Sequence, residues 1–211
     1  MFITDIEEIS IGYSKRKTAY KIYIDDVFAF LLYYQDIKKY KLSKGMEISS
    51  SLYDEVIEDT VFRRAKQKAL AILKYMDRTE KELYTKLQDA YYNYDIIVRT
   101  IDYLKDYNYI DDERYASNYI RSKKTSYSKL YLKTKLIKKG INKEVLEKVI
   151  DIEYNSPTES IDPEILAINK GIEKRYTDTS SLVWEEKQKL ISSLYRKGFN
   201  LDKIIKCIGD K

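Results

Sequence analysis

An acidic run at Asp111, Asp112 and Glu113 is the first candidate for chemistry in this sequence. Three neighbouring carboxylates suggest a metal site, but hard cations need several converging oxygen ligands. Neighbouring side chains on a helix point about 100° apart, so these three do not face a common point. Acidic residues at a helix N-terminus instead stabilise the exposed backbone amides and the positive end of the dipole. We interpret the run as the start of a helix and predict no metal site.

The composition leaves little other catalytic chemistry. The 211 residues include no histidine and a single cysteine, Cys207. Histidine-based triads, the common zinc sites and disulfide frameworks are therefore excluded. Neither common type of glycine-rich phosphate loop occurs in the sequence. We predict a protein that is not an enzyme and that needs no cofactor.

The same composition indicates a mainly helical protein. The chain has only two prolines and six glycines, and both residue types are unfavourable inside helices. The first ten residues, MFITDIEEIS, lack the basic and apolar regions of a secretion signal. The longest apolar run, around FAFLLYY, is too short to span a bilayer. We therefore expect a cytoplasmic protein that does not associate with membranes.

One helical module occurs three times along the chain. Leucine pairs recur at offsets of 49 and then 58 residues, and asparagines and branched aliphatic residues recur with them. The aligned positions are Leu83, Leu132 and Leu190; Leu87, Leu136 and Leu194; Asn93, Asn142 and Asn200; Ile97, Leu146 and Ile204; and Ile101, Ile150 and Ile208. Each copy has the pattern of three helices, and repeats of this size are typical of tandem helical arrays.

Local signals mark the helices inside the copies. Thr79 and Glu82 have the spacing of a capping box, and a helix from about residue 95 to 106 follows. Gly140 and Gly198 stand where a helix end needs a left-handed residue, whereas the first copy has Tyr91 there. Apolar residues at helical spacing predict the first helix of the first copy: Phe62, Ala65, Ala69, Ile72, Leu73 and Met76.

A small β-structure is expected ahead of the modules. Residues 20–24 alternate between apolar and polar side chains, Asp25 and Asp26 can form a two-residue turn, and residues 27–32 supply a second strand. This pattern predicts a β-hairpin, to which residues 3–12 can add a third strand. Residues 52–60 are predicted to form a short connecting helix.

The predicted fold is mainly α, a tandem array of three three-helix modules that resemble helix-turn-helix units. Stacked modules would form an elongated, curved molecule behind the N-terminal hairpin. We place the hairpin and connecting helix at residues 1–58, the first module at 59–108 and the second at 109–152. The third module, with an acidic linker, takes residues 153–211.

The second module carries a local excess of positive charge. Between residues 114 and 140 there are nine basic residues and no acid, although the net charge of the whole chain is only +5. These nine residues, which we call the basic stretch, are Arg114, Arg121, Lys123, Lys124, Lys129, Lys133, Lys135, Lys138 and Lys139.

One side of the predicted first helix of this module is expected to face outward and to contact phosphates or an acidic protein. The residues on this side are Arg114, Ser117, Arg121 and Lys124. A solvated helix face is the alternative. Exchange of Arg121 and Lys124 for glutamate is expected to weaken that contact without loss of helix.

The acids that balance this charge are concentrated further along the chain. Residues 151–164, DIEYNSPTESIDPE, contain five acids and no base. Two prolines interrupt the segment, so we expect a solvated linker. Asp162 and Pro163 then have the order expected at the start of the third module's first helix.

The segment NYIDDERYASNYI, residues 108–120, resembles the signature of the RecX family of recombination regulators. The preceding ALAILKYMDRTEKELYTKL is similar to the first module of that family, and LIKKGI to its second. The N-terminal AYKIYIDDVFAFLL is similar to the family's short β segment. In the third module the resemblance lies mainly in LYRKGF.

This resemblance implies a function in homologous recombination and DNA repair. It implies a monomeric protein that binds the RecA recombinase filament on single-stranded DNA, lies along its groove and lowers its ATPase and strand-exchange activities. Weak direct binding to single- or double-stranded DNA would accompany this activity. The alternative is a helix-turn-helix transcriptional regulator, which would need polar side chains on a recognition helix and normally a dimer.

Overall fold

The computed structural model describes residues 1–12, 17–155, 161–176 and 182–209. The chain divides into two compact units, Met1–Ile110 and Asp111–Lys211. The first unit contains the β-structure and the first module, and the second unit contains the other two modules. In the part of the chain that the structure describes, no helix has both the length and the apolar character needed to cross a bilayer.

The first unit begins with a three-stranded antiparallel sheet. Its strands are β1 (Ile3–Ile11), β2 (Lys17–Ile24) and β3 (Val27–Leu32), in the order β1-β2-β3. Asp25 and Asp26 form the turn between β2 and β3 with φ angles of 48° and 66°. Two positive φ angles match the right-handed twist of a hairpin. The predicted hairpin and its third strand are both confirmed.

In the described part of the first unit, five helices and one π-helical turn follow the sheet. They are α1 (Tyr34–Tyr40), α2 (Ser50–Val56), the π-helical turn (Ile57–Phe62), α3 (Arg63–Tyr75), α4 (Glu80–Gln88) and α5 (Tyr94–Asp106). The predicted connecting helix is present as α2 and the π-helical turn, which leads directly into α3. Helix α1 was not expected from the sequence. Its Asp36 forms an ion pair with Arg64 of α3, so it is held by a residue distant in the chain.

The capping predictions for the first module are confirmed. The Thr79 hydroxyl accepts a hydrogen bond from the Glu82 amide at 3.2 Å, and the Glu82 carboxylate accepts one from the Thr79 amide at 3.3 Å. Tyr91 adopts the left-handed conformation, with φ of 64°, that glycine provides in the other copies. The prediction was wrong for Met76, which follows the end of α3 and is exposed.

The described residues of the second unit form six helices. Those of the second module are α6 (Asp112–Lys123), α7 (Lys129–Lys138) and α8 (Lys143–Tyr154). Those of the third module are α9 (Pro163–Glu173), α10 (Trp184–Arg196) and α11 (Leu201–Gly209). Gly140 and Gly198 have φ angles of 96° and 84°, as a left-handed helix end requires.

The three copies use their aligned residues in the same way. All twelve aligned leucines and isoleucines are at most 3% exposed. Asn93, Asn142 and Asn200 each accept a hydrogen bond from a first-turn amide of the helix that follows. Burial of each aliphatic side chain contributes about 1.5–3 kcal/mol. The repeat in the sequence therefore corresponds to a repeated core and a repeated cap.

The acidic segment at residues 151–164 differs from the expected solvated linker. Residues 151–154 belong to α8, and both Glu153 and Glu164 are buried. Glu164 and Asp162 form ion pairs with Lys203 at 2.9 and 2.6 Å. The predicted helix start is confirmed, because Asp162 caps α9 and Pro163 is its first residue. Residues 156–160 of this segment lie outside the described residues.

Candidate partner-binding surface

The acidic run opens α6, as the sequence indicated. Asp111 is the residue before the helix, and its carboxylate accepts a hydrogen bond from the Arg114 amide at 2.9 Å. Glu113 lies in the first turn and forms an ion pair with Lys148 of α8 at 2.8 Å. Two of the three carboxylates therefore have structural roles at the start of this helix. Among the described residues, no cluster of acidic residues and cysteine has the arrangement of a metal site.

The side of α6 that was expected to face outward instead contacts α8. Glu153 of α8 accepts hydrogen bonds from the Ser117 hydroxyl and the Arg121 guanidinium, both at 2.6 Å. The Lys124 ammonium donates to the Glu153 backbone carbonyl at 2.6 Å and lies 3.7 Å from its carboxylate. Lys124 is buried. The outward assignment is therefore wrong for Ser117 and Lys124. Arg121 is paired with Glu153, but its side chain is 65% exposed.

Glu153 is ionised in this environment. Burial alone would raise the pKa of its carboxyl group, because a charge is poorly solvated there. Hydrogen bonds from Arg121 and Ser117, with the charges of Arg121 and Lys124, outweigh burial and lower the pKa below its ordinary value of 4.5. The hydrogen bond to Glu153 also raises the pKa of Arg121. One buried carboxylate thus neutralises much of this cationic side of α6.

The rest of the basic stretch also has close neighbours. Lys133 forms an ion pair with Glu147 of α8 at 2.6 Å. Four other lysines lie over tyrosine rings: Lys123 over Tyr119 and Tyr127, Lys129 over Tyr154, Lys135 over Tyr131, and Lys139 over Tyr115. Arg114 and Lys138 are exposed. The basic stretch contains no acid in the sequence, but acids of α8 form ion pairs with some of its residues in the fold. Lys135 and Lys138 of α7 are exposed.

A second group of cations was missed in the sequence. Lys170, Lys174 and Arg175 of the third module, with Arg196 and Lys197, line a groove of about 890 Å³ beside Tyr127 and Tyr131. We call this feature the basic groove. Its cations are spread over residues 170–197, which also contain acids, so a search for an acid-free run does not find them. The sequence did offer one indication of this group: Lys170 and Lys174 are four residues apart and therefore lie on the same side of a helix.

Comparison with protein-family models identifies all three modules. Residues 65–104 match the first three-helix domain of RecX, residues 111–150 the second, and residues 170–208 the third. Together these matches cover more than half of the chain. The chain belongs to the RecX family.

Relatives from several bacteria match almost the whole chain. The regulatory protein RecX of Clostridium acetobutylicum is 32% identical over 96% of this chain and 92% of its own. That of Clostridium perfringens strain SM101 is 33% identical over 86% and 84%. That of Clostridioides difficile is 31% identical over 90% and 87%. All three are named regulatory proteins.

Two solved RecX structures resemble the structure of this chain. The crystal structure of RecX from Lactobacillus salivarius is 29% identical, with a TM-score of 0.58 over 71% of this chain and 95% of that one. A second crystal structure of regulatory protein RecX covers 100% of this chain and 99% of its own with the same TM-score of 0.58, at 21% identity, and supports the fold. The predicted family is confirmed, and so is the predicted mainly helical fold of three three-helix modules behind a small N-terminal β-structure.

Proposed function

We propose that this RecX family member binds the RecA recombinase filament on single-stranded DNA and lowers its ATPase and strand-exchange activities. The observation that carries the proposal is the match of all three modules to the RecX three-helix domains. Binding to several recombinase subunits at once would add avidity without a single tight contact. The protein would act as a monomer, without catalysis of its own.

The exposed members of the basic stretch are the proposed contacts. Lys135 and Lys138 lie on α7 and are exposed, and Arg114 is exposed near the start of α6. Lysine and arginine gain free energy at phosphates or acidic surfaces through release of counterions. Arg121 and Lys124 are unsuitable for testing this contact, because their exchange would disturb the pairing with Glu153 described above.

The alternative of a helix-turn-helix transcriptional regulator is less well supported. The presumptive recognition helix of the second module is α8. It carries four acids, Glu144, Glu147, Asp151 and Glu153, against two lysines, Lys143 and Lys148. A helix with this charge balance is repelled by the phosphates that flank a DNA groove. We therefore favour the filament regulator.

An ATPase titration tests the proposal. Purified protein is added to the cognate recombinase on single-stranded DNA, and the rate of ATP hydrolysis is measured. We expect the rate to fall as the protein approaches stoichiometry with recombinase. An unchanged rate at stoichiometric amounts would remove the proposed function.

Charge variants test the proposed contacts. Lys135→Gln with Lys138→Gln is expected to raise the protein concentration needed for inhibition, with a larger effect at low salt. The matched control is Lys143→Gln with Lys206→Gln, which removes the same charge from exposed positions elsewhere in the second unit. Equal inhibition by both double variants would contradict the assignment of Lys135 and Lys138.

A further inference from the structure

The basic groove lies between the second and third modules, inside the second unit. One wall is formed by the start of α7 and the turn before it, and the other by the C-terminal ends of α9 and α10. The two walls are joined directly, because the Ser128 hydroxyl donates a hydrogen bond to the Lys197 carbonyl at 2.6 Å. Its volume of about 890 Å³ is within the range of small-ligand pockets, about 300–1,000 Å³.

One wall of the groove is strongly cationic. Lys170 lies on α9, and Lys174 and Arg175 directly follow it; Arg196 ends α10, and Lys197 directly follows it. No acidic side chain is among the described residues that line the groove. Arg175 donates a hydrogen bond to the Ser193 hydroxyl at 3.1 Å, and Arg196 donates one to the Ser192 carbonyl at 3.4 Å. All five are exposed. Cations near helix C-termini are favourable, but five of them around one concavity also attract an anion.

The opposite wall carries two parallel aromatic rings. Tyr127 and Tyr131 stack with ring centroids 4.8 Å apart and an interplanar angle of 13°. Both side chains are exposed, at 40% and 37%. The ammonium groups of Lys123 and Lys135 lie 5.8 and 5.4 Å from these rings, near the outer limit of about 6 Å for such contacts. These long side chains can therefore move to a phosphate while the rings receive a planar group.

Apolar atoms form the surface between the two walls. Leu130, Ala167 and Phe199 line the groove there. Gly198 allows the modules to approach, because a Cβ atom at this position would lie 3.0 Å from the Ser128 hydroxyl oxygen and 3.2 Å from the Leu130 Cβ. The groove thus places an apolar surface and stacked rings opposite a group of positive charges.

We propose that the basic groove binds nucleotides, with a base stacked on the Tyr127–Tyr131 pair and its phosphate held by the cations of α9 and α10. Stacking on tyrosine is tolerant of base identity, and lysine and arginine supply the charge that a phosphate needs. The nucleotide is either a unit of a single strand or a free nucleoside triphosphate. A duplex is disfavoured because its bases are already stacked and cannot reach the rings.

An acidic protein segment is a weaker candidate for this groove. Its carboxylates would be satisfied by the cations alone, and its binding would not require the flat faces of the two tyrosines. A nucleotide uses both walls at once. Replacement of the aromatic wall and of the cationic wall should therefore have separate, measurable effects.

The test measures binding to a fluorescein-labelled oligothymidylate by anisotropy, without recombinase. Lys170→Gln with Lys174→Gln should weaken binding about 10-fold and reduce the slope of log affinity against log salt by about 1.4, since each phosphate contact on a single strand contributes about 0.7. Tyr131→Ala should weaken binding about 10-fold, whereas Tyr131→Phe should retain it. The charge-matched control, Lys143→Gln with Lys206→Gln, should bind nearly as the unmodified protein does.

Competition experiments identify the source of the nucleotide. Displacement of the label by unlabelled oligothymidylate, but not by thymidine triphosphate at the same nucleotide concentration, assigns the groove to a strand; the reverse assigns it to the free nucleotide. Equal displacement by oligoglutamate, or equal binding by all variants, would overturn the proposal. No recombinase is present, so this result is independent of the ATPase titration, and either one can fail alone.

Discussion

The second unit contains two groups of basic residues whose surroundings differ. On α6, Arg121 and Lys124 converge on the buried carboxylate of Glu153. In the basic groove, cations such as Lys170 and Lys174 face stacked tyrosines, with no acid among the described lining residues. The first group has its counter-charge within the fold, and the second has no acidic side chain among its described lining residues. A count of basic residues along the chain favours the first group, although the second is the more available for binding.

The difference arises from what packs against each group. Helix α8 lies against α6 and α7 and brings acids from outside the acid-free stretch, including Glu147 and Glu153. The ends of α9 and α10 instead face Leu130 and the tyrosines of the second module. Four predictions test whether this contrast between a structural and an available charge group is real.

The first prediction, with the largest expected loss of stability, concerns removal of the Glu153 carboxylate. Glu153→Ala removes the carboxylate that accepts from Arg121 and lies 3.7 Å from the buried Lys124 ammonium, and loss of one member of a buried pair costs about 3–5 kcal/mol. We expect a fall of about 3 kcal/mol in the free energy of unfolding, because Lys124 keeps its bond to the backbone carbonyl. Urea unfolding followed by circular dichroism measures this value.

The control for this variant is Glu173→Ala, an exposed acid at the end of α9. It should change the free energy of unfolding by no more than about 0.5 kcal/mol. If Glu153→Ala and Glu173→Ala lowered the free energy of unfolding by similarly small amounts, the pairing of Glu153 with Arg121 and Lys124 would not stabilise the fold.

Much of the local structure could be predicted because its signals are local. The capping box at Thr79, the cap at Asn142 and the left-handed glycine at Gly198 each depend on a few neighbouring residues. The repeated core could be predicted because aligned leucines have equivalent environments. Helix α1 and the π-helical turn could not, since tertiary contacts such as that between Asp36 and Arg64 hold this region.

The candidate sites were less predictable because they depend on distant residues. Lys124 and Glu153 are 29 residues apart, and Ser128 and Lys197 are 69 residues apart. Helical spacing grouped Lys124 with Ser117 and Arg121 on one side of α6, but it gave no information that α8 covers that side. The basic groove required knowledge of how the second and third modules pack against each other.

The second prediction concerns the shape of the basic groove. Gly198→Ala introduces a Cβ in a left-handed conformation and within 3.0 Å of the Ser128 hydroxyl oxygen. We expect a loss of about 2 kcal/mol, from backbone strain and the displacement of the α7 wall. Gly45→Ala is the control, because Gly45 has a φ of 81° and no atom within 4 Å of the added Cβ. Both variants place alanine in a left-handed conformation, but only Gly198→Ala adds a steric contact, so thermal unfolding of the two separates backbone strain from steric contact. Equal losses of stability would contradict a role for Gly198 in the packing of the second and third modules.

The third prediction uses pH to titrate the first charge group. The pKa of Glu153 is lowered in the folded protein, so its stabilising effect is complete above the ordinary value of 4.5 and is lost as the pH falls through the lowered pKa. The difference in unfolding free energy between the unmodified protein and Glu153→Gln should therefore shrink in acid. Asp162, whose pKa is also lowered despite its burial, keeps some acid sensitivity in both proteins. Urea unfolding at a series of pH values gives the difference, and a constant difference from neutral pH into acid would be inconsistent with an ionised Glu153.

The fourth prediction, with the smallest expected change in the free energy of unfolding, concerns removal of charge from the basic groove. Its exposed cations have no acidic partner among the described lining residues, so Lys170→Gln with Lys174→Gln breaks no ion pair there. We expect the free energy of unfolding to change by at most about 0.5 kcal/mol, because relief of the repulsion between like charges offsets the loss of other contacts. Lys124→Gln is the matched comparison: it also removes cationic charge, but from a buried site beside Glu153, and should be clearly destabilising. If the groove variant were as destabilising as Lys124→Gln, its cations would be part of the structural framework, and the separation between the two charge groups would not hold.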